Sequence, residues 1–409
     1  MVRHGIAGGG AVAAIMLLAV AAGFGTEGGL GDPLPGLTEA QRELFRVGKE
    51  DFSSLEEPNE GLGPLFNGRG CAECHAVPAV GGVTDSPTLR ERRIGRIVNG
   101  RFDPMHEFGG PVLHLFSITS LRGQFPDQVP ADCRLPEVIP VPEEAQFLSL
   151  RQPQPLFGMG LVEAIPAETI LGNVGRFRHL GIRGKANFGG PRLGRFGWKA
   201  GVPSLLEFSG EAYLVEIGIT NAIAPHEAHE LRSEREFRQA ARCDTRPELE
   251  AAANENNSVG AEAIVNFTNF MRFLAPLPRG PVTPAVQRGE QAFKKIGCAA
   301  CHRPEMRTGK NPIRALNEKP VRLFSDLLLH DMGDGLADGI EQGLARGREF
   351  RTAPLWGLRL RPFFLHDGRT MDLHEAILLH GGEAEKVIEA FRDLPDRVKE
   401  DILAFLRSL

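Results

Sequence analysis

Two short stretches carry the residues best suited to chemistry. The segment GPLFNGRGCAECH ends on Cys71, Cys74 and His75, and AFKKIGCAACH ends on Cys298, Cys301 and His302. In each, two residues separate a pair of thiols, and an imidazole follows the second thiol directly. One turn of chain at that spacing offers both sulfurs to one edge of a porphyrin, for thioether bonds to its two vinyl groups. The adjoining histidine then swings under the iron as its ligand. A structural zinc built from the four cysteines would leave both histidines without a role. A thioredoxin-like redox pair calls for a βαβ pattern that the sequence lacks. Two copies therefore point to two covalently bound c-type haems, with His75 and His302 on the irons.

The elements that must position these motifs are partly visible. In TPAVQRGEQAFKKIGCAACH, Thr283 is placed as N-cap and Pro284 at the first helical position. Val286, Gly289, Ala292, Phe293 and Ile296 then share one face at helical spacing, so a helix runs straight into the second motif. Phe66 stands as far before Cys71 as Phe293 does before Cys298, and Gly70 and Gly297 directly precede the first cysteines, where a tight turn favours a permissive backbone. LTEAQRELFRVGKEDF predicts a helix capped by Thr38, with Leu44, Phe45 and Val47 facing the core. VKEDILAFLRSL predicts a last helix buried through Val398, Ile402, Phe405 and Leu406, of the kind that in small cytochromes crosses the helix leading to the haem.

A chain of 409 residues has room for two or three domains. Its 47 basic and 52 acidic side chains give a net charge of −5, which argues against nucleic acid as a partner. With 49 glycines and 30 prolines it is no simple bundle, and long ordered loops are expected. Residues 1–22 read as a signal peptide: Arg3 and His4 head an apolar run, Ala11–Gly23, that is shorter than the ~20 residues a spanning helix needs. An uncleaved anchor is the alternative. The mature protein is expected to be periplasmic or otherwise exported, with no stable membrane span. Cys133 and Cys243 form either a disulfide or two unrelated thiols.

Beyond the motifs, the chain resembles the bacterial dihaem oxidoreductases of the thiol-oxidoreductase-like family, within the superfamily of dihaem cytochrome c peroxidases. The residues that carry the likeness are GLGPLFNGRGCAECH, QPLFGMGLVEAIP, GRFGWKAGVPSL, FSDLLLHDMGDGLADG, FRTAPLWGLRLRPFFLHDGR and LHEAILLHGGEA. The resemblance implies a mainly α fold with two cytochrome-c-like haem domains, at 35–125 and 276–409. Between them, 126–275 would be a connecting region with insertions, packing on both. It also implies peroxidase-like redox activity in which the C-terminal haem relays electrons to an N-terminal catalytic haem. The electron donor would be a small cytochrome or a cupredoxin. Related peroxidases hold a calcium ion between the domains, for which no ligands are assigned here.

The resemblance places a distal ligand of the second iron at His380, where the peroxidases usually have methionine; bis-histidine ligation would lower the potential. Met332 and His330 are its rivals, a helix-capping role is the plain alternative, and His366 is read as structural. The peroxidases bring a loop histidine to the first iron, but none occurs between His75 and His106. That iron is therefore open, or reached by His106, His114 or Met159, with His114 foremost. An open iron wants a nearby proton shuttle, for which Glu163, set among apolar residues, is the candidate and Gln154 the second choice. Trp198 is expected between the haems and Trp356 near the second, with Arg195, Arg351 and Arg369 on propionates. Tyr213, Val215 and Ile217 alternate as a strand would, Gly109–Pro155 reads as irregular with small β elements, and His226 and His229 lie in a charged, solvated insertion. A non-catalytic electron-transfer cytochrome, such as a redox partner in metal uptake, is the rival function.

Overall fold

A computed structural model describes residues 29–226, 234–244 and 262–409. The expected signal peptide and His229 lie outside them. Among the described residues the helices are α1 (Glu39–Ser53), α2 (Cys71–Cys74), α3 (Met159–Glu163), α4 (Ala167–Leu171), α5 (Leu205–Ile217), α6 (Glu234–Ala241), α7 (Glu262–Phe273), α8 (Pro284–Ile296), α9 (Leu373–Leu378), α10 (Glu385–Arg392) and α11 (Asp396–Leu406). Among the described residues helix takes up 35% and strand 14%, so helix is the chief regular structure, but about half of these residues are loop. That is more loop than "mainly α" conveys, and it follows from the glycine and proline content. No described helix is long and apolar enough to cross a membrane.

α1 opens on a capping box: the Thr38 hydroxyl accepts from the Gln41 N–H, and the Gln41 side chain accepts from the Thr38 N–H. Phe45, Gly48 and Phe52 form its buried stripe, whereas Leu44, expected inside, is 43% exposed because it falls just off that stripe. At Gly48, α1 crosses α7 so closely that a Cβ would stand 2.2 Å from the Asn266 carbonyl oxygen. The end of the chain repeats this arrangement. α8 starts where the Thr283 hydroxyl accepts from the Val286 N–H, ends at Gly297 (φ 105°), and crosses α11 at Gly289, where a Cβ would stand 1.8 Å from the Asp401 carbonyl oxygen. Glycine inside a helix costs about 1 kcal/mol relative to alanine; here it lets two backbones touch. Phe52 meets Phe270 at 4.9 Å in the first pair, and Phe293 meets Phe405 at 5.2 Å in the second. The partner of α1 thus lies at 262–273, in the stretch expected to be connecting region.

A small β module interrupts the first half. β1 (Leu65–Phe66) pairs with β5 (Phe116–Ser117), while β2 (Glu91–Val98) pairs antiparallel with β3 (Arg101–Asp103), β4 (Val112–Leu113) and β6 (Phe147–Arg151). Ile94, Met105, Leu113 and Ile118 make its own core, closed by a Cys133–Cys243 disulfide that fastens the end of α6 to it. Arg151 on β6 and Lys199 both reach the buried Asp338 carboxylate, at 2.9 and 3.1 Å, and so tie the module to the second half. The strand expected at Tyr213–Ile217 is instead the end of α5. The Ser204 hydroxyl caps it by accepting from the Glu207 N–H, Gly218 ends it at φ 81°, and Leu205, Ser209, Tyr213 and Ile217 are its buried stripe. A short apolar run fits either period, and only the longer stripe decides.

Candidate haem sites

The two motifs have the same local geometry. The His75 N–H donates to the Cys71 carbonyl at 3.1 Å and the His302 N–H to that of Cys298 at 3.0 Å, which winds each motif into one tight turn. His75 Nδ1 then bonds the Gly82 carbonyl at 2.9 Å, and His302 Nδ1 the Phe324 carbonyl at 3.0 Å. With a carbonyl as partner, Nδ1 must carry the proton, and each ring keeps its Nε2 lone pair for a metal. Burial lowers the pKa of His75 and pushes His302 down to about 4, with His380 adding to the latter, so both rings are neutral. Phe52 and Phe293 each stand 6.2 Å from their histidine ring. The aromatic that matches Phe293 is therefore Phe52 and not Phe66, because an inserted loop separates α1 from the first motif. Gly297 has the positive φ expected of it. Gly70 is extended at φ −168°, and its need is different: a Cβ there would lie 2.1 Å from the Ser54 carbonyl oxygen.

Both motifs open onto one continuous cavity. Cys71, Cys74, His75, Cys298, Cys301 and His302 line it, together with Trp198, Trp356, Gln154, Met159, Met332, His330, His366 and His380. The four thiols are free, and Arg90, Arg351 and Arg361 also face the space. None of these arginines has an ion pair among the described residues, and Arg351 Nη1, Arg361 Nε and Arg90 Nε have no hydrogen-bond partner. Burial drives Arg361 down to about 10, and burial together with the nearby Arg361 does the same to Arg351. Buried guanidinium groups with open donors are built to receive acidic groups from a bound molecule. Thiol pairs, neutral imidazoles and unpaired arginines around one apolar space fit two porphyrins with their propionates.

A family model described as "Di-haem oxidoreductase, putative peroxidase" matches residues 141–409. The chain belongs to this dihaem oxidoreductase family. No curated protein sequence matches it. Among solved structures it is similar to the diheme peroxidase BthA from Burkholderia thailandensis E264, with 15% identity over 93% of this chain and 87% of that one, and a TM-score of 0.41. A MauG-like protein associated with microbial copper homeostasis matches at 15% identity over 91% of this chain and 90% of the other, with a TM-score of 0.39. Hydrazine synthase of Kuenenia stuttgartiensis matches at 13% identity over 98% and 100%, with a TM-score of 0.37. These likenesses are distant, and no residue role rests on them.

Within this dihaem oxidoreductase several expected residues do not reach the cavity. Glu163 is outside it: its carboxylate accepts from Arg272 Nε at 3.0 Å and from the Leu205 N–H at 2.8 Å, which anchors the start of α5. Arg195 donates to the Val162, Glu163 and Ile165 carbonyls at the end of α3, and Arg369 pairs with Asp367. His114 is buried in the β module, and His106 and His226 are exposed. His330 lines the cavity, but Asp326 holds its Nε2 at 3.0 Å and Glu383 its Nδ1 at 2.7 Å, so neither nitrogen is left for iron. Burial opposes a charge on that ring, yet Asp326 and its other partners hold its pKa well above the usual histidine range. His380 keeps Nε2, since only its Nδ1 is engaged, with the Ala376 carbonyl at 2.8 Å.

The cavity holds a carboxyl that the sequence reading did not single out. Glu216, on the last turn of α5, lines it and takes a hydrogen bond from Asn67 Nδ2 at 2.6 Å. Burial, with Glu91 nearby, raises it to about 8, so it is protonated at neutral pH. Reading Tyr213–Ile217 as a strand hid it; a helix through Ile217 puts Glu216 one turn past Ala212. Trp198 lines the cavity with its Nε1–H donating to the Gln152 carbonyl at 2.8 Å, and its ring meets His366 edge-on at 6.4 Å. His366 is stacked on Phe350 at 4.1 Å. No cluster of three or more His, Cys, Asp or Glu side chains among the described residues is placed to hold a metal ion such as calcium.

Proposed function

We propose that this protein is an exported dihaem c-type cytochrome with peroxidase-like oxidoreductase activity. Cys71 and Cys74 would hold one haem by thioether bonds and Cys298 and Cys301 the other, with His75 and His302 as iron ligands. α1, α7 and the first motif then form an N-terminal cytochrome-c-like unit, and α8, α11 and the second motif a C-terminal one. The observation that carries this reading is the common cavity: it has an uncommitted histidine, His380, on the second side and a neutral carboxyl, Glu216, on the first.

When bound, the haems supply the redox chemistry. The chain's own side chains divide the remaining work. His380, with its Nε2 free, would hold the second iron on the side away from His302, which would suit that haem to electron relay. On the first side Glu216, protonated at rest, would be placed to give up a proton and, once ionised, to take one back. Trp198 lies in the shared cavity, with its ring held by the Gln152 carbonyl, as a bridge between the two sides. Arg90, Arg351 and Arg361 take the propionates. The disulfide and the thioether motifs both suit an oxidising, exported setting, and a small cytochrome or cupredoxin is the fitting electron donor.

Electron paramagnetic resonance of the oxidised holoprotein tests the reading. One high-spin and one low-spin iron are expected, with carbon monoxide binding to a single iron after reduction. Two low-spin irons that ignore carbon monoxide, cyanide and peroxide would leave a plain electron-transfer cytochrome in its place.

A further inference from the structure

The loop and helix that present His380 have a counterpart on the other side of the cavity. The Phe364 N–H donates to the Thr370 carbonyl at 2.8 Å, and the Phe196 N–H to the Val202 carbonyl at 3.0 Å; each closes a loop of the same length as an isolated antiparallel bridge. His366 and Trp198 occupy the same place in the two loops and meet ring to ring. Two residues past each bridge stands a helix cap. Asp372 accepts from the His374 and Glu375 N–H groups, and Ser204 from that of Glu207.

The faces beyond the caps also correspond. The first, fourth, fifth and eighth residues after Asp372 line the cavity: Leu373, Ala376, Ile377 and His380. The first, fourth, fifth and eighth residues after Ser204 line it too: Leu205, Phe208, Ser209 and Ala212. In α5 these positions share one helical face; in the other copy the first three lie on α9 and His380 stands two residues past its end, tied back to it through the Ala376 and Ile377 carbonyls. At the eighth position one copy carries an imidazole with a free ring nitrogen and the other carries a methyl group.

We infer that Ala212 marks, for the first iron, the position that His380 takes for the second, and that this exchange of histidine for alanine is what leaves the first iron open to a small ligand. The inference rests on the reading of His380 as a ligand given above. An alanine methyl has no lone pair, so this position of α5 cannot close the site. One turn further along, at the spacing that keeps side chains on one face, Glu216 reaches the same cavity. α5 therefore supplies both a position without a ligating side chain and an acid one turn from it.

The test uses the full-length holoprotein and reads coordination rather than turnover. Ala212→His should convert the high-spin ferric signal of the first iron to low spin and abolish carbon monoxide binding after reduction. An Ala212→His protein that keeps its high-spin signal and its carbon monoxide affinity overturns the inference. Should that variant fail to load haem, Ala212→Leu with added imidazole decides the matter. Imidazole should turn the first iron of the native chain low-spin, and Ala212→Leu should weaken that binding at least tenfold; unchanged affinity overturns the inference. A native protein with no high-spin iron overturns the open-iron reading itself, before any variant is made.

Discussion

His330, His380 and Glu216 share one cavity, and their neighbours give each a different capacity. His330 is spent on two carboxylates. His380 has one nitrogen anchored by its own helix and one to spare. Its replacement should therefore expose the second iron: in His380→Ala a second high-spin ferric signal is expected, and an unchanged spectrum would remove His380 as ligand. Glu216 is neutral because burial denies water to its carboxylate. Between its ordinary value of 4.5 and its folded value of about 8, the native state binds a proton that the unfolded chain has released. Stability therefore falls as pH rises through that window. Glu216→Gln lacks this term, so its urea midpoint should drop less than that of the native chain between about pH 5 and about pH 8. Equal drops would show that Glu216 titrates normally. The same variant should lose about 100-fold or more of peroxide turnover while keeping both haems.

At the scale of elements, the two helix crossings are held by glycine. Gly48 and Gly289 sit where the facing backbone leaves no room for a Cβ, so α1 and α8 can lie close enough for Phe52 and Phe293 to flank the two histidines. Gly289→Ala would raise intrinsic helix propensity, yet it is expected to destabilise the protein by about 1–3 kcal/mol, the usual cost of overpacking a tight contact. Urea titration followed by the helix signal measures it; a gain in stability would mean that the helices do not touch there. Gly289 was legible as part of a buried face. Gly48 was not, because a lone glycine in a helical pattern reads as weakness until its partner helix is known, and α7 lies far along the chain. The strand expected at Tyr213–Ile217 failed for a related reason: the stripe that identifies α5 begins well before it, at Leu205.

For the whole molecule, the long excursion between α1 and α7 must be kept compact. The Cys133–Cys243 bridge does part of this, with a sequence separation of 110 residues. Cross-links of that span restrict the unfolded chain most. Replacing both cysteines by serine should cost roughly 2–5 kcal/mol of stability while leaving both haem spectra in place, since neither cysteine lines the cavity. Loss of haem attachment in that variant would contradict the separation of the β module from the haem sites.

The sequence alone determined the features whose cause is local. Two thiols and an imidazole within five residues wind into one tight turn at both motifs, and a cap followed by an apolar stripe makes α8. The tertiary structure decided everything that depends on two distant segments facing one space. It took Glu163 out of the site by pairing it with Arg272, brought Glu216 in, spent His330 on Asp326 and Glu383, and put Ala212 on the cavity that His380 also lines. No short stretch of residues encodes those outcomes, because each is set by what another segment places beside it.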